Sequence, residues 1–101
     1  MTPEGRIESY LKQAVKREGG KTRRIRWIGR RNAPDDLVSF GFPRVALVEC
    51  KKDEDTDPTV AQFREHRLLR ADGWPVYVVG SPEQIEAMIK EVKHGKSTGQ
   101  L

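Results

Sequence analysis

Cysteine is nearly absent from this 101-residue chain, where Cys50 stands alone. One thiol excludes an internal disulfide framework and any multi-cysteine zinc site, so stability has to come from packing. Histidine is almost as scarce: His66 and His94 lie far apart in sequence and leave a zinc site poorly supplied. No apolar run approaches the roughly 20 residues that cross a bilayer, and the N-terminus lacks the basic-then-apolar layout of a secretion signal. The expectation is a cytoplasmic protein that meets no membrane. There is no internal repeat and no dividing linker, so 36% hydrophobic and 34% charged residues are expected to build one domain with one modest core over residues 1–93. Residues 94–101 read as a polar, frayed tail.

Charge is plentiful and uneven. The 19 Lys and Arg exceed the 15 Asp and Glu by a formal +4. Residues 1–31 carry ten basic and three acidic side chains, a net of +7, whereas residues 32–101 carry nine and twelve, a net of −3. A basic front end suits a polyanionic partner, and the acidic remainder can hold cations. Lys21, Arg23, Arg24, Arg26, Arg30 and Arg31, with Trp27 interleaved, fit a phosphate-backbone track. Arg64, Arg67 and Arg70 fit a second stripe at helical spacing. Each run also fits a merely solvated face.

The pattern of start, stop and periodicity signals predicts the elements. Thr2-Pro3-Glu4 reads as a helix start, Ile7, Tyr10, Leu11, Ala14 and Val15 as its apolar stripe, and Gly19-Gly20 as its stop. On that wheel Glu4 falls inside the apolar arc and Glu8 at its edge. Strands are expected over residues 21–28, 37–40, 44–51 and 74–79, with a tight turn at Gly41-Phe42-Pro43. Pro58 is expected to open a second helix, with Asp57 suited to its N-cap, running to about Asp72. Ser81-Pro82-Glu83-Gln84 opens a third, with Ile85, Met88, Ile89 and Val92 buried. The order α-β-β-β-α-β-α predicts an α/β fold, a mixed sheet flanked by helices.

Along the third strand Val45, Leu47, Glu49 and Lys51 share one face, which sets the Glu and Lys about 7 Å apart by strand rise. A carboxylate there can hold a hard divalent cation while the ammonium orients a water or offsets phosphate charge. Glu-x-Lys alone also fits a solvated strand end. Upstream, Asn32-Ala33-Pro34-Asp35 places an acid where a turn enters the preceding strand, so a hairpin brings Asp35 to Glu49. Magnesium-type ions keep several waters, so these two carboxylates and the backbone carbonyl of Cys50 supply enough protein ligands. By alternation the Cys50 side chain points the other way, into the core. His66 reads as a surface or groove residue.

The elements Pro34-Asp35 and Glu49-Cys50-Lys51 within this order resemble the PD-(D/E)xK nuclease superfamily, whose core is restriction-endonuclease-like. More narrowly, Thr2-Pro3-Glu4-Gly5-Arg6-Ile7, Ala33-Pro34-Asp35, Val48-Glu49-Cys50-Lys51 and Gln62 resemble the VRR-NUC (virus-type replication-repair nuclease) family, including stand-alone phage members, over about residues 2 to 80. The resemblance implies a Mg²⁺- or Mn²⁺-dependent DNA nuclease, with Glu4, Asp35 and Glu49 around the metal, Lys51 as catalytic lysine and Gln62 completing the site. It further implies 5′-phosphate products, a homodimer, selection of branched or junction DNA, replication or repair protein partners, and a bacterial or phage-infected cytoplasm. Asn32 stands where the family often has glycine; asparagine tolerates positive φ, so the turn is expected to persist. Two bland readings stay open: Glu4 as a first-turn acid favoured by the helix dipole, and Gln62 as an exposed helix residue. A non-catalytic nucleic-acid-binding module is the rival function.

Overall fold

A computed structural model describes residues 1–95. The elements run α1 (Pro3–Arg17), β1 (Lys21–Arg24), β2 (Asp36–Ser39), β3 (Val45–Cys50), α2 (Val60–Ala71), β4 (Val76–Val79) and α3 (Pro82–Lys93). The four strands form one sheet in the order β1-β2-β3-β4. The first three are antiparallel and β4 joins β3 in parallel, across the α2 crossover. This is the mixed sheet with helices expected from the sequence. No helix among the described residues is long and apolar enough to cross a membrane.

Local chemistry sets the helix ends. Thr2 accepts the Gly5 N–H at 3.0 Å, Pro3 occupies the first turn, and Lys16 and Arg17 sit at the negative end of the α1 dipole. The second helix starts later than Pro58, because Thr59 and Gln62 form a reciprocal capping box and displace Asp57 from the expected N-cap role. Residues 25–28 lie outside the first strand, which ends at Arg24: one last ladder-like bond runs from the Ile25 N–H to the Asp35 carbonyl at 2.7 Å, and the Trp27 indole then donates to the Pro34 carbonyl at 2.7 Å. The expected tail falls partly outside the described residues; His94 caps α3 and Gly95 follows with φ 72°.

Alternation along β3 divides the molecule. Ala46, Val48 and Cys50 join Val38 and Val79 against Ile7, Leu11, Ala14 and Val15 of α1 and Ile85, Met88, Ile89 and Val92 of α3. Leu47, Glu49 and Lys51 point to the opposite face, where α2 lies. Gly80, just past β4, lets the acidic loop cross the strand end: a Cβ there would stand 2.1 Å from the Asp53 carbonyl oxygen.

Candidate active site

The C-terminal end of β3 carries Glu49 and Lys51, both buried, toward α2. Lys51 Nζ donates to Gln62 Oε1 at 2.6 Å, and the same oxygen accepts the Thr59 N–H at 3.0 Å. Gln62 is therefore half-buried and engaged from two sides, not a free surface residue. Glu49 Oε1 is sealed from solvent with no hydrogen-bond partner, and lies 3.8 Å from His66 Nε2.

Asp35 joins them from the turn into β2. Asn32 takes φ 64°, the left-handed conformation the turn requires, in place of a glycine. Burial raises the Asp35 carboxyl above the usual range, the charge of Glu49 raises it further, and Arg24 and Lys51 pull it back. Two carboxylates that repel one another beside a lysine form a donor set that gains from a cation between them. The Cys50 carbonyl lies at the same strand end. Leu47 and Lys51 direct their N–H groups at Pro75 and Val79, so alternation turns Cys50 toward β2, where the register continues to Pro34. Proline has no N–H to offer that carbonyl. Among the described residues no group of three or more His, Cys, Asp or Glu side chains is placed to hold a metal ion. Carboxylate and carbonyl oxygens are the ligand type of hard, well-hydrated divalent cations.

The Cys50 thiol lies buried in the core, and burial pushes its ionisation up, so it is no nucleophile.

Helix α1 differs from expectation. The wheel places Glu4 inside the apolar arc, yet Glu4 is exposed, because the first turn has nothing packed over it. Glu8, one turn later, is half-buried and pairs with Arg24. Glu8 also faces Asp36, which alternation turns to the α1 side; burial first and Glu8 second push the Asp36 carboxyl up to about 6. Asp36 Oδ1 has no hydrogen-bond partner.

The arginines divide into committed and free. Arg24 holds Glu8, and Arg30 holds the buried Glu65 of α2 through Nη2 to Oε1 and Nε to Oε2, the latter at 3.4 Å. Arg70, expected on the exposed stripe, instead donates to the Val76 carbonyl at 2.7 Å and is half-buried. Lys21, Arg23, Arg26, Arg31, Arg64 and Arg67 are exposed. Sequence reading missed the burial of His66, which lines a cavity with Phe63 and Val78 but is not a surface residue, and the Glu65–Arg30 pair. The signal available for His66 was its position four residues after Gln62, one helical turn along the same face.

No family model matches the chain. It is 38% identical over 80 residues to a protein of Acyrthosiphon pisum secondary endosymbiont phage 1 described as "Putative nuclease p44", a match covering 79% of this chain and 85% of that one. A solved structure of a VRR_NUC domain superposes with a TM-score of 0.82 at 41% identity, covering 89% of this chain and 97% of the other. Fold, motif order and both relatives agree: the chain belongs to the VRR-NUC nuclease family.

Proposed function

We propose that this chain hydrolyses DNA phosphodiester bonds with Mg²⁺ or Mn²⁺ held by Asp35, Glu49 and the Cys50 carbonyl, Glu4 lying at the rim of the site. The observation that carries the reading is the meeting of Asp35, Glu49 and Lys51 at one strand end, with Lys51 held at 2.6 Å by Gln62. When bound, the ion supplies Lewis acidity toward the phosphate and a more acidic water. The protein's own part is positional and electrostatic. Lys51, restrained by Gln62, presents a fixed positive charge to the phosphate as negative charge develops, and such preorganised contacts contribute about two to three orders of magnitude in rate. Lys21, Arg23, Arg26 and Arg31, with Arg64 and Arg67 on α2, supply charge for the phosphate backbone without reading bases. A chain with so little surface for base readout suits selection by DNA shape, such as branches and junctions. For the assembly we propose a homodimer.

The test is cleavage of linear, flap and four-way-junction DNA with Mn²⁺ or Mg²⁺, with EDTA and with Ca²⁺. Metal-dependent cleavage, fastest on branched DNA and blocked by EDTA, is expected. Tight DNA binding with no cleavage under any metal would favour the accessory-module reading instead. Asp35→Asn and Lys51→Ala should each lower cleavage at least a hundredfold while binding survives.

A further inference from the structure

Helix α2 is unusual in what it hides. Its buried residues are Glu65 and His66, while its apolar Val60, Phe63 and Leu68 stand exposed. Glu65 is answered by Arg30. His66 is 0% exposed and neither ring nitrogen has a hydrogen-bond partner. Buried polar groups are nearly always paired, so a sealed imidazole with two idle nitrogens calls for a reason. Facing it is a group with the complementary deficit: Glu49 Oε1, also buried and unpartnered, 3.8 Å from His66 Nε2.

The spacing of helix and strand explains why these two meet. Gln62 and His66 are four residues apart on α2, an advance of about 6 Å, and Lys51 and Glu49 are two apart on β3, an advance of about 6.6 Å. With Gln62 seated on Lys51, the helix delivers His66 to Glu49. One helix face thus addresses both functional side chains of the strand.

We propose that His66 is the positioning residue for Glu49, donating its Nε2–H to Oε1 and leaving the other carboxylate oxygen to the cation. The inference rests on the nuclease reading above. The pair stands beyond hydrogen-bond length, and a side-chain adjustment of roughly 1 Å closes it. Held this way, the carboxylate cannot rotate out of its binding orientation, and partners that orient a metal ligand in other proteins change metal affinity about 10- to 100-fold when removed.

The experiment uses the full chain with Mn²⁺ as probe. Isothermal titration and a free-Mn²⁺ paramagnetic resonance signal give the affinity, and DNA cleavage is followed in the same preparations. His66→Phe keeps a ring of similar size and removes the donor; His66→Gln restores a donor. The expected result is Mn²⁺ affinity weakened 10- to 100-fold in His66→Phe and recovered to within a few-fold in His66→Gln. A ring that only fills space predicts the reverse ranking, with His66→Phe the better tolerated. Should either variant fail to fold, imidazole ¹⁵N spectra of the otherwise native chain carrying the exposed-site change His94→Gln decide the matter. They should show a proton on Nε2 of His66 and a displaced resonance after Glu49→Gln. Mn²⁺ affinity of His66→Phe within twofold of wild type, or an Nε2 without a proton, overturns the role. If the wild-type chain neither binds Mn²⁺ nor cuts DNA, the nuclease reading falls and this inference with it. If it does both and His66→Phe matches it, the positioning role alone falls.

Discussion

On the α1 and α3 face the sheet meets its helices through Leu11, Val15, Val38, Val48, Ile85 and Met88, nearly all fully buried. On the α2 face Glu49, Lys51, Glu65 and His66 are buried beside Leu47. The first face follows the rule that apolar area leaves water, at about 25 cal/mol per Å², and contributes the packing that holds the fold. The second face buries charge and leaves Val60, Phe63 and Leu68 of its helix outside, an arrangement that costs stability unless each polar group finds a partner. Lys51 has Gln62, Glu65 has Arg30 and Asp35 stands 3.9 Å from Arg24, while Glu49 and Asp35 repel one another. One face stabilises the molecule and the other, on the function proposed above, serves a cation and a phosphate.

Breaking the first face should produce the largest loss of stability. Leu11→Ala, at a residue with no exposure, is expected to cost about 2–5 kcal/mol in chemical denaturation. Lys51→Ala should move stability far less while abolishing most cleavage. Equal destabilisation by the two would erase the distinction between the faces.

Asp36 sharpens the comparison, because it is a carboxylate on the apolar side. Its folded-state ionisation is raised from the ordinary 3.8 to about 6 by burial and Glu8. The folded protein therefore keeps this proton to higher pH than the unfolded chain does. The contribution is most favourable below about pH 4, falls as pH rises to about 6, and is flat above. Asp36→Asn, neutral throughout, should gain about 1–3 kcal/mol at pH 8, and the gain should vanish near pH 4. A pH-independent difference would mean that Asp36 is not held against its charge.

The smallest effects belong to the arginines. Removing Arg26 and Arg31 together should flatten the plot of log DNA affinity against log salt by about 1.8 for duplex DNA. Removing Arg24 and Arg30, committed to Glu8 and Glu65, should flatten it less. Fluorescence anisotropy in Ca²⁺ reads both; the opposite ranking would make the ion pairs dispensable and the exposed arginines idle.

How much of this was legible follows the same division. The apolar face could be read from periodicity: the stripes of α1 and α3 and the alternation of β3 are all local patterns. So was the shared face of Glu49 and Lys51, and the positive φ tolerated by Asn32. The α2 face resisted because its helix carries no apolar stripe that matches its burial, and because its pairs are remote: Arg30 and Glu65 are 35 residues apart. A wheel put Glu4 inside the apolar arc, but the side chain stands exposed. At Asp57-Pro58 the sequence offered a plausible helix start that lost to the reciprocal hydrogen bonds of Thr59 and Gln62.

The central claim is that the charges at the end of β3 serve catalysis at the expense of stability, and Glu49→Gln tests it most directly, with thermal unfolding and Mn²⁺-dependent cleavage measured on one preparation. Removing that charge relieves the repulsion felt by Asp35 and leaves the apolar face untouched. The account predicts unchanged or higher stability together with cleavage at least a hundredfold slower. Cleavage within tenfold of wild type, or unfolding as severe as that of Leu11→Ala, would contradict it.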